Sequence, residues 1–484
     1  MFGRVGAGQG SGAPVGEVVL RKTSSSPGAP LSANSVITRV VTVAGGRFGP
    51  GHLGELTRIV PFEMVDAVLG ETGKVQARIR DLPSRVVVYL LLAAGLFAEL
   101  GYGQVWAKMI SGLDGLGVVT PTAGALAQAR RRIGVAPLRA LFDLLRGPDA
   151  GPGTKGVYWR GRLVTAIDGT MMCCPDTEAN LRRFRRGGGN HGGTGYPMIR
   201  VLALLACGTR TIIDATFGST GIGETTYTRD LLPALRRGMI LLADRNFAAR
   251  DLIVAVADTG AELLIRVKTG RKLPVCRQLG NGSYVSRIGT VEVQVINCEI
   301  TITTQAGHRS EVYRLITTIL DPDIPATEII RLYRQRWEIE TSFLELKSTI
   351  LGGRVLRAKT PGGVDQEVYA LLVTYQALRI AIADATIGRP DLDPDRGSFT
   401  IALNAARDQL IAATGVIAET VIDLVGVIGR HVLDNRMPTR RLRTNPRVVK
   451  RAISKFVAKT TTGRVRAPSR PATITIKITA RVDP

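Results

Sequence analysis

Cysteine and histidine are both scarce in this chain, with five and four copies in 484 residues. Cys173, Cys174, Cys207, Cys276 and Cys298 are odd in number, show no metal-ligand spacing and include an adjacent pair that cannot close a relaxed disulfide. A disulfide framework is thereby excluded, and buried thiols in a reducing cytoplasm are expected. His52, His191, His308 and His431 stand singly, which argues against a zinc cluster or a Cys-His nucleophile pair. Any metal site must then be made of carboxylates. Long apolar runs are missing as well. The longest, Val86 to Phe97, is too short to span a bilayer, and the N-terminus lacks a charged-then-apolar signal pattern. A soluble, cytoplasmic protein without a membrane partner is the expectation. Acidic residues are in deficit, 40 against 64 basic ones, so the net charge is +24. Such a balance points to a polyanionic partner.

What is present is a folded protein with basic surfaces. Hydrophobic residues make up 45% of the chain, too much for a disordered basic tail, and the length suffices for two or three domains. Residues 1–52 are rich in Gly, Ser, Pro and Val without a sustained period and read as a flexible leader. Residues 53–150 carry helical apolar stretches at Ile59 to Leu69, Val86 to Phe97 and Leu138 to Leu145, separated by turn signals such as Leu82-Pro83-Ser84 and Thr120-Pro121-Thr122. From Gly161 the texture becomes three β-rich runs (162–167, 199–207, 211–216). A helix (226–236), a strand (239–243), a helix (248–257) and a strand (262–268) follow. Residues 269–320 read as an all-β insertion, and helices return at 325–350, 366–385 and 398–428. The tail beyond Arg436 is strongly basic, either a solubilising extension or a DNA-tracking arm.

The helix predicted around residues 333–347 is the most informative segment. At about 100° per residue, Tyr333, Arg336, Glu340 and Lys347 fall at roughly 0°, 300°, 340° and 320°, one stripe carrying a phenol, a guanidinium, a carboxylate and an ammonium. Leu332, Ile339, Phe343, Leu346 and Ile350 fall at roughly 220° to 280°, so the stripe borders the buried face. Arg334, Glu338 and Glu345, at about 100° to 140°, read as a solvated face. Such a stripe suits a phosphate-bearing ligand; the competing reading is an amphipathic core helix whose long side chains snorkel.

Two aspartates follow apolar strands. Asp168 comes after Leu163-Val164-Thr165-Ala166-Ile167, and Asp244 after Ile240-Leu241-Leu242-Ala243. Each either caps a turn or sits at the carboxyl edge of an α/β sheet, where sites are usually built. With Glu340 they form the hard-oxygen donor set that two Mg²⁺ ions require for an in-line phosphoryl displacement.

Ala-Ile-Asp168-Gly-Thr, Ala-Asp244-Arg-Asn-Phe and the Tyr333, Arg336, Glu340, Lys347 series resemble the insertion-element-4 family of bacterial DDE transposases. The last four match its Y-R-E-K signature residue by residue. Leu82-Pro83-Ser84-Arg85 and Ala-Gln-Ala-Arg130-Arg131-Arg132 resemble its N-terminal domain, and the likeness spans roughly residues 55 to 460. The resemblance implies an α/β, ribonuclease-H-like mixed-sheet core at 158–268 and 321–390, interrupted by the β-rich insertion. A helical DNA-binding domain precedes it, and a helical region with a basic tail (391–484) follows. Asp168, Asp244 and Glu340 would hold two Mg²⁺ or Mn²⁺ ions, Arg336 and Lys347 transposon-end phosphates, and Tyr333 the backbone beside the cut. Water would attack at the element's end, and the freed 3′-hydroxyl would attack another phosphodiester. The implied partners are duplex DNA, as terminal inverted repeats and target, and a second copy of the chain in a synaptic homodimer; the implied location is the bacterial nucleoid. An inactive, transposase-derived DNA-binding protein is the alternative, and a nuclease that cuts without joining is a third reading.

Four further features have two readings each. Arg130, Arg131 and Arg132 end a helix and either lie on DNA or complement the helix dipole. The basic, glycine-rich run 182–193 lacks the Gly-Lys-Ser/Thr ending of a P-loop, so no nucleotide cofactor is expected; it is a DNA-contacting loop or a tolerated one. Trp337 is expected to pack in the core, with base stacking as the second option. Glu224 is expected to start a helix rather than join the acidic cluster.

Overall fold

The computed structural model of the protein describes residues 40–42, 48–78, 80–113, 117–186, 195–304, 307–387, 389, 391–413, 426–437 and 473–479. Two short strands, β1 (Val40–Thr42) and β2 (Phe48–Pro50), pair antiparallel within the stretch expected to be a structureless leader. His52, just beyond them, is buried with Nε2 3.0 Å from the Met109 carbonyl, and burial lowers its pKa to about 4. Helices α1 (Phe62–Glu71), α2 (Ser84–Leu96), α3 (Tyr102–Ile110), α4 (Ala123–Ile133) and α5 (Ala136–Leu145) follow. Thr122 caps α4 by accepting from the Ala125 N–H at 3.1 Å, as the Thr-Pro-Thr signal predicts.

The α/β part begins with β3 (Tyr158–Trp159) and β4 (Arg162–Cys173), then α6 (Glu178–Phe184), β5 (Met198–Ala206), β6 (Ile212–Ser219) and α7 (Glu224–Leu231). It continues through β7 (Met239–Ala243), α8 (Arg250–Asp258), β8 (Glu262–Val267), β9 (Arg277–Gln278), β10 (Tyr284–Ile288), β11 (Val291–Thr304) and β12 (Gly307–Thr317). The chain re-enters helix at α9 (Ala326–Tyr333) and α10 (Trp337–Leu344), then α11 (Pro361–Ile387), α12 (Phe399–Ile411) and α13 (Gly426–Asp434), and β13 (Thr473–Ile478) comes last.

Eleven strands form one mixed sheet in the order β6-β5-β4-β7-β8-β12-β11-β10-β9, with β3 on β4 and β13 on β11. The pairs β4–β7 and β7–β8 are parallel, and the flanking pairs are antiparallel. This is the ribonuclease-H-like arrangement. The β-rich stretch after residue 268 does not form a layer of its own: β12 pairs with β8 and carries the sheet onward. β13 falls in the region expected to be helix and basic tail; the arginines and lysines of that tail from 440 to 470, like run 187–194, lie outside the described residues.

One face of the sheet packs on α7 and α8 through Leu163, Ile167, Met239 and Leu241; the other packs on α9 and α10 through Val164, Ala166, Ile240 and Leu242. The N-terminal helices share a third core with α11, α12 and α13. At 27 residues, with an 18-residue stretch of mean hydropathy 1.3, α11 is long and apolar enough to cross a membrane, yet 78% of that stretch is buried inside the protein. A helix of this protein's interior has the same composition because it is surrounded by apolar neighbours on every side.

Gly95 is where α2 meets α11 most closely: a Cβ there would lie 2.5 Å from Thr374 Oγ1, which itself donates to the Leu92 carbonyl at 3.0 Å. Gly95→Val is expected to lower stability by about 2 kcal/mol or more through overpacking. In the same chemical denaturation series Gly124→Ala, with only the Thr122 hydroxyl in reach at 3.9 Å, is expected to stay within about 1 kcal/mol of the parent.

Candidate active site

The parallel register brings the two aspartates together. Leu163 faces Met239 and Ala166 faces Leu242, a constant offset of 76 residues that also separates Asp168 from Asp244. Asp168 does not follow its strand, as the sequence suggested, because β4 runs on to Cys173 with Asp168 opposite Ala203 of β5. Relative to β7, however, it is past the last pair, so both carboxylates stand at the carboxyl edge of the parallel strands. Alternation settles the face: Val164, Ala166 and Asp168 share one side of β4, as Ile240, Leu242 and Asp244 share one side of β7, and that side is covered by α9 and α10. Glu224 begins α7 on the opposite face, with Oε1 2.7 Å from where a Cβ on Gly169 would sit, and so stays out of the acidic group.

Each aspartate also shapes its turn: Asp168 Oδ1 accepts from the Gly169 N–H at 2.8 Å, and Asp244 Oδ1 from the Asn246 N–H at 2.7 Å. The two readings left open for these residues thus coexist. Burial pushes the Asp168 carboxyl up to about 6; Asp244 and Glu340 add like-charge repulsion, while the Gly169 N–H and Arg336 oppose the rise.

Glu340 arrives on a helix that is not uniform. Residues Arg334–Arg336 form a 3₁₀ turn and Glu345–Ile350 a π-helical turn, with α10 between them. Arg336 Nη2 is 2.9 Å from Glu340 Oε1, and Nη1 is 3.9 Å from Asp168 Oδ2, so the guanidinium bridges the two carboxylates. Burial works against that charge, but Tyr333, Glu340 and Asp168 outweigh it and raise the Arg336 pKa above its ordinary value. Its Nε is buried without a hydrogen-bond partner. Lys347, further along, has its pKa lowered by burial, with Cys173 opposing.

Several side chains depart from their expected roles. Tyr333, expected at the DNA backbone, is 7% exposed and donates its hydroxyl to the Ala243 carbonyl at 3.2 Å, tying the helix to the end of β7. Trp337, expected in the core, is 57% exposed, with the Arg336 guanidinium 5.4 Å from its ring centroid. Glu338 and Glu345, expected on a solvated face, are buried and ion-paired with Arg210; Arg334 alone of that set is exposed. The 3₁₀ and π turns shift the angular phase that a uniform 100° step assumes. Of the three arginines closing α4, Arg130 stacks 3.6 Å over Tyr102 and Arg132 Nη2 donates to the Leu82 carbonyl at 2.7 Å, leaving Arg131 exposed.

Two features escaped the sequence. One is Arg210, whose acidic partners were legible only as two glutamates sharing a helix face. The other is a groove of about 300 Å³ lined by Lys74, Arg78, Arg80 and Arg132 with no acid in its wall. Lys74, Arg78 and Arg80 lie in the irregular connection between α1 and α2, so no periodicity marks them, and only Arg132, at the end of α4, was singled out from the sequence.

The donor set suits a hard divalent cation: three carboxylates, no sulfur or imidazole, and a positive guanidinium already standing between two of them. As placed, no three His, Cys, Asp or Glu side chains among the described residues are drawn together closely enough to enclose a metal ion.

The chain matches the family model for the insertion element 4 transposase N-terminal region over residues 50–143 and that for the transposase DDE domain over residues 159–376. It is 27% identical over 412 residues to the transposase InsG for insertion sequence element IS4 of Escherichia coli (strain K12), spanning 80% of this chain and 90% of that protein. It is 25% identical over 205 residues to the putative transposase InsZ of the same organism, spanning 42% of this chain and 66% of that one. Among solved structures it is similar to a chain of the piggyBac transposase synaptic complex with hairpin DNA, at 11% identity and TM-score 0.41, covering 85% and 86% of the two chains. With the two family matches together taking in more than half of its length, the chain belongs to the insertion-element-4 family of DDE transposases.

Proposed function

We propose that this transposase cuts DNA at the terminal inverted repeats of its own element and joins the freed ends to target DNA, using Asp168, Asp244 and Glu340. The observation that carries this reading is the shared register of the two aspartates beneath a helix that presents Glu340 and Arg336 to them. The three carboxylates would hold two divalent cations, Mg²⁺ or Mn²⁺, which when bound supply charge neutralisation at the attacking and leaving oxygens. In hydrolysis the water oxygen bonds to phosphorus and the P–O3′ bond breaks, leaving a 3′-hydroxyl. In transfer that hydroxyl replaces another P–O bond, so the number of phosphodiester linkages is conserved.

The chain's own groups divide the remaining work. Arg336, poised between Glu340 and Asp168, offers its outer N–H groups to a non-bridging phosphate oxygen in a forked contact. Lys347 carries a partly desolvated charge that gains most from an anionic partner such as the next phosphate. Tyr333 acts indirectly, by fixing the helix to the Ala243 carbonyl, and Trp337 presents an exposed face on which a base can stack. The α1–α5 region serves as the DNA-binding domain, and the Lys74, Arg78, Arg80 and Arg132 groove takes duplex phosphates outside the cutting site. Two copies, each holding one transposon end, would make the synaptic assembly.

Labelled duplexes spanning the element's ends test this reading on a denaturing gel. Nicking and joining with Mg²⁺ or Mn²⁺ are expected for the parent and a loss of at least about 10³-fold for Asp168→Asn and Glu340→Gln, with end binding retained. Undiminished cleavage by Asp168→Asn would refute the site.

A second prediction concerns pH. Because the folded chain keeps the Asp168 proton up to about pH 6, against 3.8 ordinarily, it binds more protons than the unfolded chain between those values. The stability it contributes therefore falls as pH rises through that window. Asp168→Asn, measured in chelator, is expected to be more stable than the parent at pH 7.5 by on the order of 1–3 kcal/mol and to lose that advantage near pH 3.5. A third concerns salt: Arg78→Ala with Arg80→Ala is expected to reduce the slope of log K against log[salt] for end binding by about 2. An unchanged slope in a filter-binding titration would remove the groove from the DNA path.

A further inference from the structure

Arg210 lies in the turn between β5 and β6, is 1% exposed, and adopts φ +58°, a backbone region uncommon for a side chain of its size. Its guanidinium is divided among three acids. Nε donates to Glu338 Oε2 at 2.5 Å, Nη1 to Glu345 Oε1 at 3.0 Å, and Nη2 to Asp395. The second oxygen of Glu345 is taken by Arg379, and the Tyr375 hydroxyl lies 3.0 Å from the Arg210 carbonyl and 3.3 Å from Glu345 Oε2. Two guanidiniums and three carboxylates are thus sealed behind α10, joining the sheet turn, the Glu340 helix, α11 and the turn Pro394–Arg396.

Stability alone does not account for such a cluster, because removing ions from water costs about as much as their attraction returns, and apolar side chains of equal volume often serve better. What a planar, three-way fork supplies is direction. Glu338 lies about 200° around the helix from Glu340, so the residue that faces inward and the residue that faces the aspartates are on opposite sides of one turn. Glu345 opens the π turn that follows. Since 3₁₀ geometry enters this helix and π geometry leaves it, its own backbone bonds do not fix the rotational phase of α10. Two side chains held by one guanidinium do.

We propose that Arg210 is a positioning residue for the strand-transfer site: by clamping Glu338 and Glu345 on the far side of the helix, it sets the rotation at which Glu340 faces Asp168 and Asp244. The proposal rests on Glu340 belonging to the active site. A lysine at position 210 keeps the charge but has one ammonium in place of the fork, so the helix keeps its burial and loses its fixed phase.

The test compares Arg210→Lys, Glu338→Gln and Glu340→Gln with the parent as full-length chains. Four quantities are read: melting temperature, binding to an end duplex, the Mn²⁺ concentration giving half of the cation-induced melting shift, and the nicking rate per folded molecule. Arg210→Lys is expected to bind the end within about twofold of the parent, to require about tenfold more Mn²⁺ and to nick about a hundredfold more slowly. Glu338→Gln is expected to move the last two quantities in the same direction by a smaller factor. If Arg210→Lys does not fold, Glu338→Gln decides alone. A lowered melting temperature with Mn²⁺ midpoint and nicking unchanged would show the cluster to be structural only and overturn the proposal. If instead Glu340→Gln leaves the Mn²⁺ midpoint and nicking intact, the active-site assignment fails and the proposal falls with it, a result recognisable because it does not involve Arg210.

Discussion

The parallel pairing of β4 with β7 is the constraint on which the site depends. Backbone hydrogen bonds between 163–166 and 239–242 set the offset of 76 residues, and the same offset aligns Asp168 with Asp244 two residues beyond the last pair. A slip of one residue would turn one of the aspartates to the face covered by α7 and α8, because side chains alternate. The apolar residues that bury both faces therefore fix the placement of the aspartate pair as well as the core: Val164, Ala166, Ile240 and Leu242 on one side, Leu163, Ile167, Met239 and Leu241 on the other.

Onto that edge the chain lowers a helix of irregular pitch. Its apolar residues Ile339 and Phe343 decide that it packs on the Asp168 face, but apolar packing is weakly directional. Direction comes from polar contacts at three points: Tyr333 on the Ala243 carbonyl, Arg336 between Glu340 and Asp168, and the Arg210 cluster behind. The charges divide by location. Those behind the helix are paired and dry, whereas in front burial first, and the like charge of Asp244 and Glu340 after it, raise the Asp168 pKa, a repulsion that a cationic partner would relieve.

The rest of the molecule ties this site to the N-terminal helices. The N-terminal helices share a core with α11, and Arg357 links the two by donating to the Ala94, Phe97 and Leu100 carbonyls while paired with buried Glu367. Leu126, Ala129 and Ile133 of α4, beside Arg132 in the basic groove, and Leu346 and Ile350, beyond the Glu340 helix, belong to that same core.

Local signals told much of this in advance. Strand β7 follows from a run of apolar residues with β propensity, α4 from its threonine cap, and the Tyr333, Arg336, Glu340, Lys347 spacing, with the two Asp motifs, identified the family. The single histidines and the unspaced cysteines restricted any metal donor set to oxygen. Tertiary structure alone decided the reach of β4 past Asp168, the joining of the 269–320 strands to the main sheet, and which polar groups of the helix turn inward. Tyr333 went in, Trp337 came out, and Glu338 and Glu345 became buried anions. The reason is physical: an angular stripe records which residues share a face, but burial depends on what the face meets, and the partner that makes burial of Glu338 tolerable is Arg210, 128 residues earlier in the chain.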